Sequence, residues 1–148
     1  MNATTRLGDG VYTLSSDYLI LLLEIGFERG ITIAELLQDS NLQQSVMIQP
    51  DIQIGHESFF KVVHNFYQQV NDMAVATEYG RRMSLSKHGA LGIAAQNSET
   101  MNDAATKIVR FIAIRNQLFT LQRYRDSKQR ILTVGAKVVD PVIPFICL

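Results

Sequence analysis

A chain of 148 residues that is 47% hydrophobic and 19% charged can bury one core, has little room for a second, and is not globally disordered. Fourteen basic residues balance fourteen acidic ones, so the total charge offers no surplus for a phosphate backbone or an anionic membrane surface. The single cysteine, Cys147, excludes an internal disulfide and any zinc site built on cysteine pairs.

No secretory leader is visible at the start. The longest apolar run, residues 18–27, is interrupted by Glu24 and falls far short of the roughly 20 residues a bilayer needs. The expectation is a cytoplasmic protein with no membrane partner.

Taken in chain order, the first ten residues are polar and glycine-bearing and read as a loop. A helix then starts at Ser15 or Ser16 and stops at Gly30; its near-continuous apolar content predicts burial on most sides. Thr32 and Glu35 have capping-box spacing, each side chain serving the other's free backbone N–H. Ile33, Leu36 and Leu37 give that short helix an apolar face. Residues 41–55 read as irregular around Pro50, which lacks an N–H and pushes Gln49 into an extended shape.

From His56 the pattern is clear. Phe59, Phe60, Val63, Phe66, Tyr67 and Val70 recur at helical spacing, and Asp72 can cap the helix after it. Ser86 is placed to cap a helix of small residues, in which Gly89 and Gly92 let another element approach closely. Ser98 or Thr100 opens a long helix, with Met101, Ala104, Ala105, Ile108, Val109 and Ile112 on one side.

After about residue 116 the period changes to two. Leu118, Thr120, Gln122 and Tyr124 face one way, and Phe119, Leu121 and Arg123 the other. Asp126, Ser127 and Lys128 make the turn to a second run, where Gly135 marks a bulge. An apolar tail, "DPVIPFICL", follows. The expected fold is a single α+β domain over residues 1–148, with about five to six helices before a C-terminal antiparallel hairpin or small sheet.

The stretch "SLSKHGALGIAAQNS", residues 84–98, is where serine, histidine and glycine crowd together. A serine nucleophile needs a base within hydrogen-bond reach and a third group to orient that base, and no strand–turn–helix elbow presents Ser84 or Ser86 to His88. His56 and His64 lie about 12 Å apart along one helix at the usual rise, too far for one zinc. The glycines form neither dinucleotide nor phosphate-loop spacing. No catalytic residue, metal or cofactor is expected. Two readings stay open: a tight structural helix start, or a ligand cavity beside that helix.

The longer segment "GRRMSLSKHGALGIAAQNSETMNDAATKIVRFIAIRNQLFTLQ" resembles the N-terminal regulatory domain of AraC-type bacterial transcription regulators, in the arabinose-binding-domain-like group. Gly80, Arg81, Leu85, Ser86, His88, Gly89, Gly92, Ser98, Thr100 and Ala104 carry the likeness, which extends over about residues 16–135. The resemblance implies a sensor that binds a small effector, supports dimerisation, or both. Nothing after residue 116 has helix-turn-helix patterning, so no DNA-binding domain and no direct nucleic-acid contact are expected.

An effector pocket would then lie between the small-residue helix, the helix from Ser98 to Asn116, and the hairpin. Ser86, His88 and Arg115 would be its polar groups, and Leu91, Ile108, Ile112, Leu118 and Leu121 its walls. The alternative function is a ligand-free interaction module acting on a full-length regulator, pairing as a homodimer through the hairpin edge or the apolar tail.

Overall fold

The computed structural model describes residues 11–126, 129–138 and 140. The chain runs β1 (Thr13–Ser15), α1 (Ser16–Glu28), α2 (Ile33–Leu37), β2 (Gln53–Gly55), α3 (His56–Val70), α4 (Ala74–Arg82), α5 (Gly89–Gln96), α6 (Met101–Arg115), β3 (Phe119–Arg125) and β4 (Arg130–Ala136). Two 3-10 turns, Gln44–Ile48 and Leu85–His88, complete the order. Among the described residues, six helices precede a C-terminal antiparallel ribbon, the α+β arrangement expected.

The helix boundaries follow from local chemistry. Ser15 caps α1, its hydroxyl accepting from the Asp17 N–H; Ser16 instead donates to the Gln49 carbonyl at 2.7 Å. Thr32 and Glu35 close the capping box on α2. Asp72 accepts from the Ala74 N–H at 2.9 Å, and Thr100 caps α6 by accepting from Asp103.

The core is built mainly by α1 and α3. Leu19, Leu22, Leu23 and Ile25 of α1 pack with Leu36, Phe59, Val62, Val63 and Phe66, and with Leu14 and Leu118 from the strand segments. Burying an aliphatic or aromatic side chain of this size stabilises by about 1.5–3 kcal/mol, so these two helices carry most of the apolar stabilisation. Among the described residues no helix is long and apolar enough to cross a membrane.

Four expectations need correction. First, the segment 41–55, read as irregular, contributes a strand: β2 pairs antiparallel with β1, Leu14 opposite Ile54. Leu14 also bridges to Asn116, and the Gln117 N–H donates to the Thr13 carbonyl at 2.9 Å. Three-residue strands are too short to show a period of two, so only tertiary pairing reveals them.

Second, Ser86 does not cap α5. It lies inside the 3-10 turn and exchanges a hydrogen bond with the Ser84 hydroxyl at 2.7 Å. The Gly89 backbone, at φ +59° and ψ −140°, reorients the chain before α5, so no serine stands where a cap would act.

Third, Gly135 is not a bulge. The register from Phe119–Ala136 to Arg125–Arg130 is unbroken, and Gly135 makes room for the Thr120 hydroxyl, which an added Cβ would meet at 2.8 Å.

Fourth, the apolar side of α6 is not deeply buried. Arg115 is its one fully buried residue, and Met101 is 86% exposed. The reason is that α6 packs against α5 and β3 at the periphery, outside the core that α1 and α3 fill. The expected turn residues Ser127 and Lys128, and tail residues 141–148, lie outside the described residues.

Candidate functional site

A cavity of about 170 Å³ opens where α1, α3, α4 and the start of β3 converge. Its walls include Leu14, Phe59, Met83 and Leu118, with Tyr18 and His88 as the polar side chains facing each other. These positions follow from the fold. Tyr18 follows Asp17 in the first turn of α1, and His88 ends the 3-10 turn that α5 packs on.

The Tyr18 hydroxyl and His88 Nδ1 are 2.9 Å apart, with ring centroids at 5.5 Å. Burial pushes the Tyr18 phenol above its ordinary value, more than the positive charge of Arg115 pulls it down. The phenol therefore keeps its proton, and the donor in its hydrogen bond with Nδ1 is set by the His88 tautomer. Burial also lowers His88 below its ordinary 6.5, so the imidazole is neutral at pH 7.

Two further polar side chains border the cavity, each with one hydrogen bond to the main chain. The Tyr79 hydroxyl donates to the Tyr18 carbonyl at 2.8 Å, and Asn116 Oδ1 accepts from the Leu118 N–H at 2.9 Å.

The His88 environment gives a signed pH effect. As pH falls, the unfolded chain takes up this proton near 6.5 while the folded chain resists until a lower pH. The His88 contribution to stability is thus complete above 6.5 and is lost as pH falls through and below that value. His88→Gln should flatten this part of the stability–pH curve in urea melts. An unchanged slope would show that His88 is not desolvated in solution.

Arg115 belongs to the other side of the same wall. Its guanidinium is 6% exposed and pairs with Asp17 at 2.5 Å and with Asp51; it also donates to the Lys87 carbonyl at 3.2 Å. It lies beneath Gly89, where an added Cβ would come within 3.0 Å of the guanidinium carbon. Arg115 thereby ties α6 to the start of α1, to the turn before β2, and to the segment carrying His88. On the outer side of this cluster a second recess of about 370 Å³ lies between α5 and α6, bordered by Leu91, Phe111, Ile114, Asp51 and Arg115.

The structure divides the residues singled out from the sequence. His88 and Leu118 share the cavity. Leu91 and Arg115 face the recess on the far side of the turn. Ser86 is at the surface, and Ile108, Ile112 and Leu121 are half-buried along α6 and β3, bordering neither space. Tyr18, Met83 and Asn116, which the sequence reading did not single out, also border the cavity, as do Phe59 and Tyr79, which belong to the core. The one signal for Tyr18 was a polar tip inside an otherwise apolar helix.

With this geometry in hand, comparison with known families is informative. The family model described as the arabinose-binding domain of AraC transcription regulator, N-term, matches residues 30–144. That match defines a regulatory domain of transcription regulators, a class that is not enzymatic. The chain belongs to the family of N-terminal arabinose-binding domains of AraC regulators. No curated protein matches it.

Proposed function

We propose that this chain senses a small effector for an AraC-type regulator, and that the cavity between Tyr18 and His88 holds that effector. The carrying observation is a cavity with aliphatic and aromatic walls and one polar pair, Tyr18 and His88, facing into it. Pockets of this kind bind through apolar contact and use a few placed polar groups for orientation.

The chemistry of the walls narrows the ligand. The several hydroxyls of a pentose would each need a partner, at a cost of about 1–3 kcal/mol for every group left unpaired. Leu14, Phe59, Met83 and Leu118 offer none. The space instead suits a single-ring apolar body, since an apolar void of about 150 Å³ accepts benzene. In the tautomer that carries its proton on Nε2, His88 would donate to one acceptor on that body, such as a carboxylate or carbonyl oxygen.

Sensing would work by population shift. An effector that binds one placement of His88 better than another biases the turn at Leu85–His88, and with it α5 and Arg115. The coupling is limited to the difference in affinities, typically about 1–3 kcal/mol.

Thermal melts test this. Benzoate should raise the melting temperature of the chain, and L-arabinose should not. Met83→Trp, which fills the cavity from its half-buried side, should abolish the benzoate shift while the circular dichroism spectrum is unchanged. Stabilisation by arabinose, or a benzoate shift that survives Met83→Trp, would defeat the proposal. His88→Ala should weaken the response without loss of fold.

Dimerisation without a ligand is the second reading, and the β3–β4 ribbon, whose outer edges carry no further strand among the described residues, favours it. A mass by light scattering that stays monomeric at every concentration would exclude it.

A further inference from the structure

The neutral total conceals a segregation of charge. Residues 104–137 hold eight of the fourteen basic side chains and one acidic side chain, Asp126, while residues 1–103 hold twelve acidic side chains against six basic ones. The basic segment is the last three turns of α6 together with the β3–β4 ribbon.

Arg110, Arg123 and Arg125 border one recess of about 360 Å³ between α6 and β3. Arg123 is held there by neutral acceptors, the Asn102 carbonyl and side chain and the Thr106 hydroxyl, at 2.6–3.2 Å. Arg130 donates to the same Asn102 oxygen at 3.1 Å. Among the described residues none of these four arginines makes an ion pair, whereas Arg29, Arg82 and Arg115 all do.

Register adds apolar groups to the patch. Arg123 is opposite Leu132, Leu121 opposite Val134, and Arg125 opposite Arg130, and cross-strand partners share a face of the ribbon. Leu132 and Val134 are nevertheless 54% and 56% exposed.

We infer that this face of the ribbon and α6 docks an acidic protein segment that also carries aliphatic side chains. Carboxylates would pair with Arg110, Arg125 and Arg130, since a guanidinium presents paired donors to a planar acceptor, and the aliphatic groups would cover Leu132 and Val134. Two other occupants fit less well. A duplex would satisfy the arginines but leave exposed aliphatic side chains against sugar and phosphate. A second copy pairing this face to itself across a two-fold axis would set arginines against arginines, an arrangement that repels.

The test uses fluorescence anisotropy on the full chain, with three labelled probes: a peptide of alternating Glu and Leu, its Lys and Leu counterpart, and a random-sequence DNA duplex. The Glu/Leu peptide should bind at least about tenfold tighter than either other probe, and more weakly as salt rises. Arg125→Glu with Arg130→Glu should weaken it at least about tenfold with no change in thermal stability, and Leu132→Ser should weaken it at constant charge. Tighter binding of the duplex would reassign the face to nucleic acid. Self-association abolished by the arginine reversals would reassign it to a second copy. Peptide binding indifferent to all three substitutions, or absent, would overturn the inference.

Discussion

Arg115→Ala is expected to destabilise the chain by about 3 kcal/mol, the low end of what breaking a buried ion pair costs. The replacement removes the cation from Asp17, whose side chain is 19% exposed, and the donor from the Lys87 carbonyl. It also leaves a void under Gly89. Asp51 is 70% exposed, so its pair is screened by water, and Asp51→Asn should cost under about 1 kcal/mol.

The Arg115 Nε is buried without a partner, which already offsets part of the gain from its two ion pairs. Urea denaturation separates these effects through the midpoint at constant slope. Arg115→Met with Asp17→Asn should recover much of the loss, because no carboxylate is then left half-buried and unpaired. A midpoint unmoved by Arg115→Ala would mean that the cluster is solvated and holds nothing together.

Gly92→Ala should be comparably severe. A Cβ at this position would stand 1.6 Å from the Leu85 carbonyl oxygen and 2.5 Å from its carbon. Both are backbone atoms, so no side-chain rotation relieves the clash. Relief requires α5 to move off the Leu85–His88 turn, which displaces His88 from Tyr18. Overpacking costs about 1–3 kcal/mol in ordinary cores, and the upper end applies where backbone must yield. Gly92→Ala should therefore lower stability by about 3 kcal/mol and weaken any ligand response. Gly55→Ala is the control, since nothing lies within 4 Å of its added Cβ. Equal melts for the two variants would contradict the close approach of α5.

Much of the architecture was readable from local rules. The Thr32–Glu35 box, the Phe59-to-Val70 helix and the alternation after Leu118 each arise from side chains a few residues apart, and each appears where the spacing placed it. The close approach at Gly92 was also legible, because small residues in an apolar helix imply a neighbouring backbone. Ser86 was misplaced because Gly89 turns the chain before α5, and a positive φ is not written in the residues preceding it.

The site was less legible for a different reason. His88 and Tyr18 are 70 residues apart, and no local periodicity brings them together. Arg115 in a helix reads equally as a ligand group or an internal ion pair; the difference is Asp17 and Asp51, which meet it only in three dimensions. The charge totals hide the clustering of basic residues between 104 and 137, which is countable in the sequence, while the recess that Arg110, Arg123 and Arg125 share appears only in the fold.

The most direct measurement is a benzoate titration followed by NMR of the His88 imidazole and of the methyl groups on both sides of the Leu85–His88 turn. The account predicts the largest saturable shifts at His88, Met83 and Leu118, which border the cavity, with smaller shifts at Leu91 and Ile114 that saturate at the same benzoate concentration. Shifts confined to Leu91 and Ile114 would move the binding site to the recess between α5 and α6, and the cavity beside Tyr18 would lose its role.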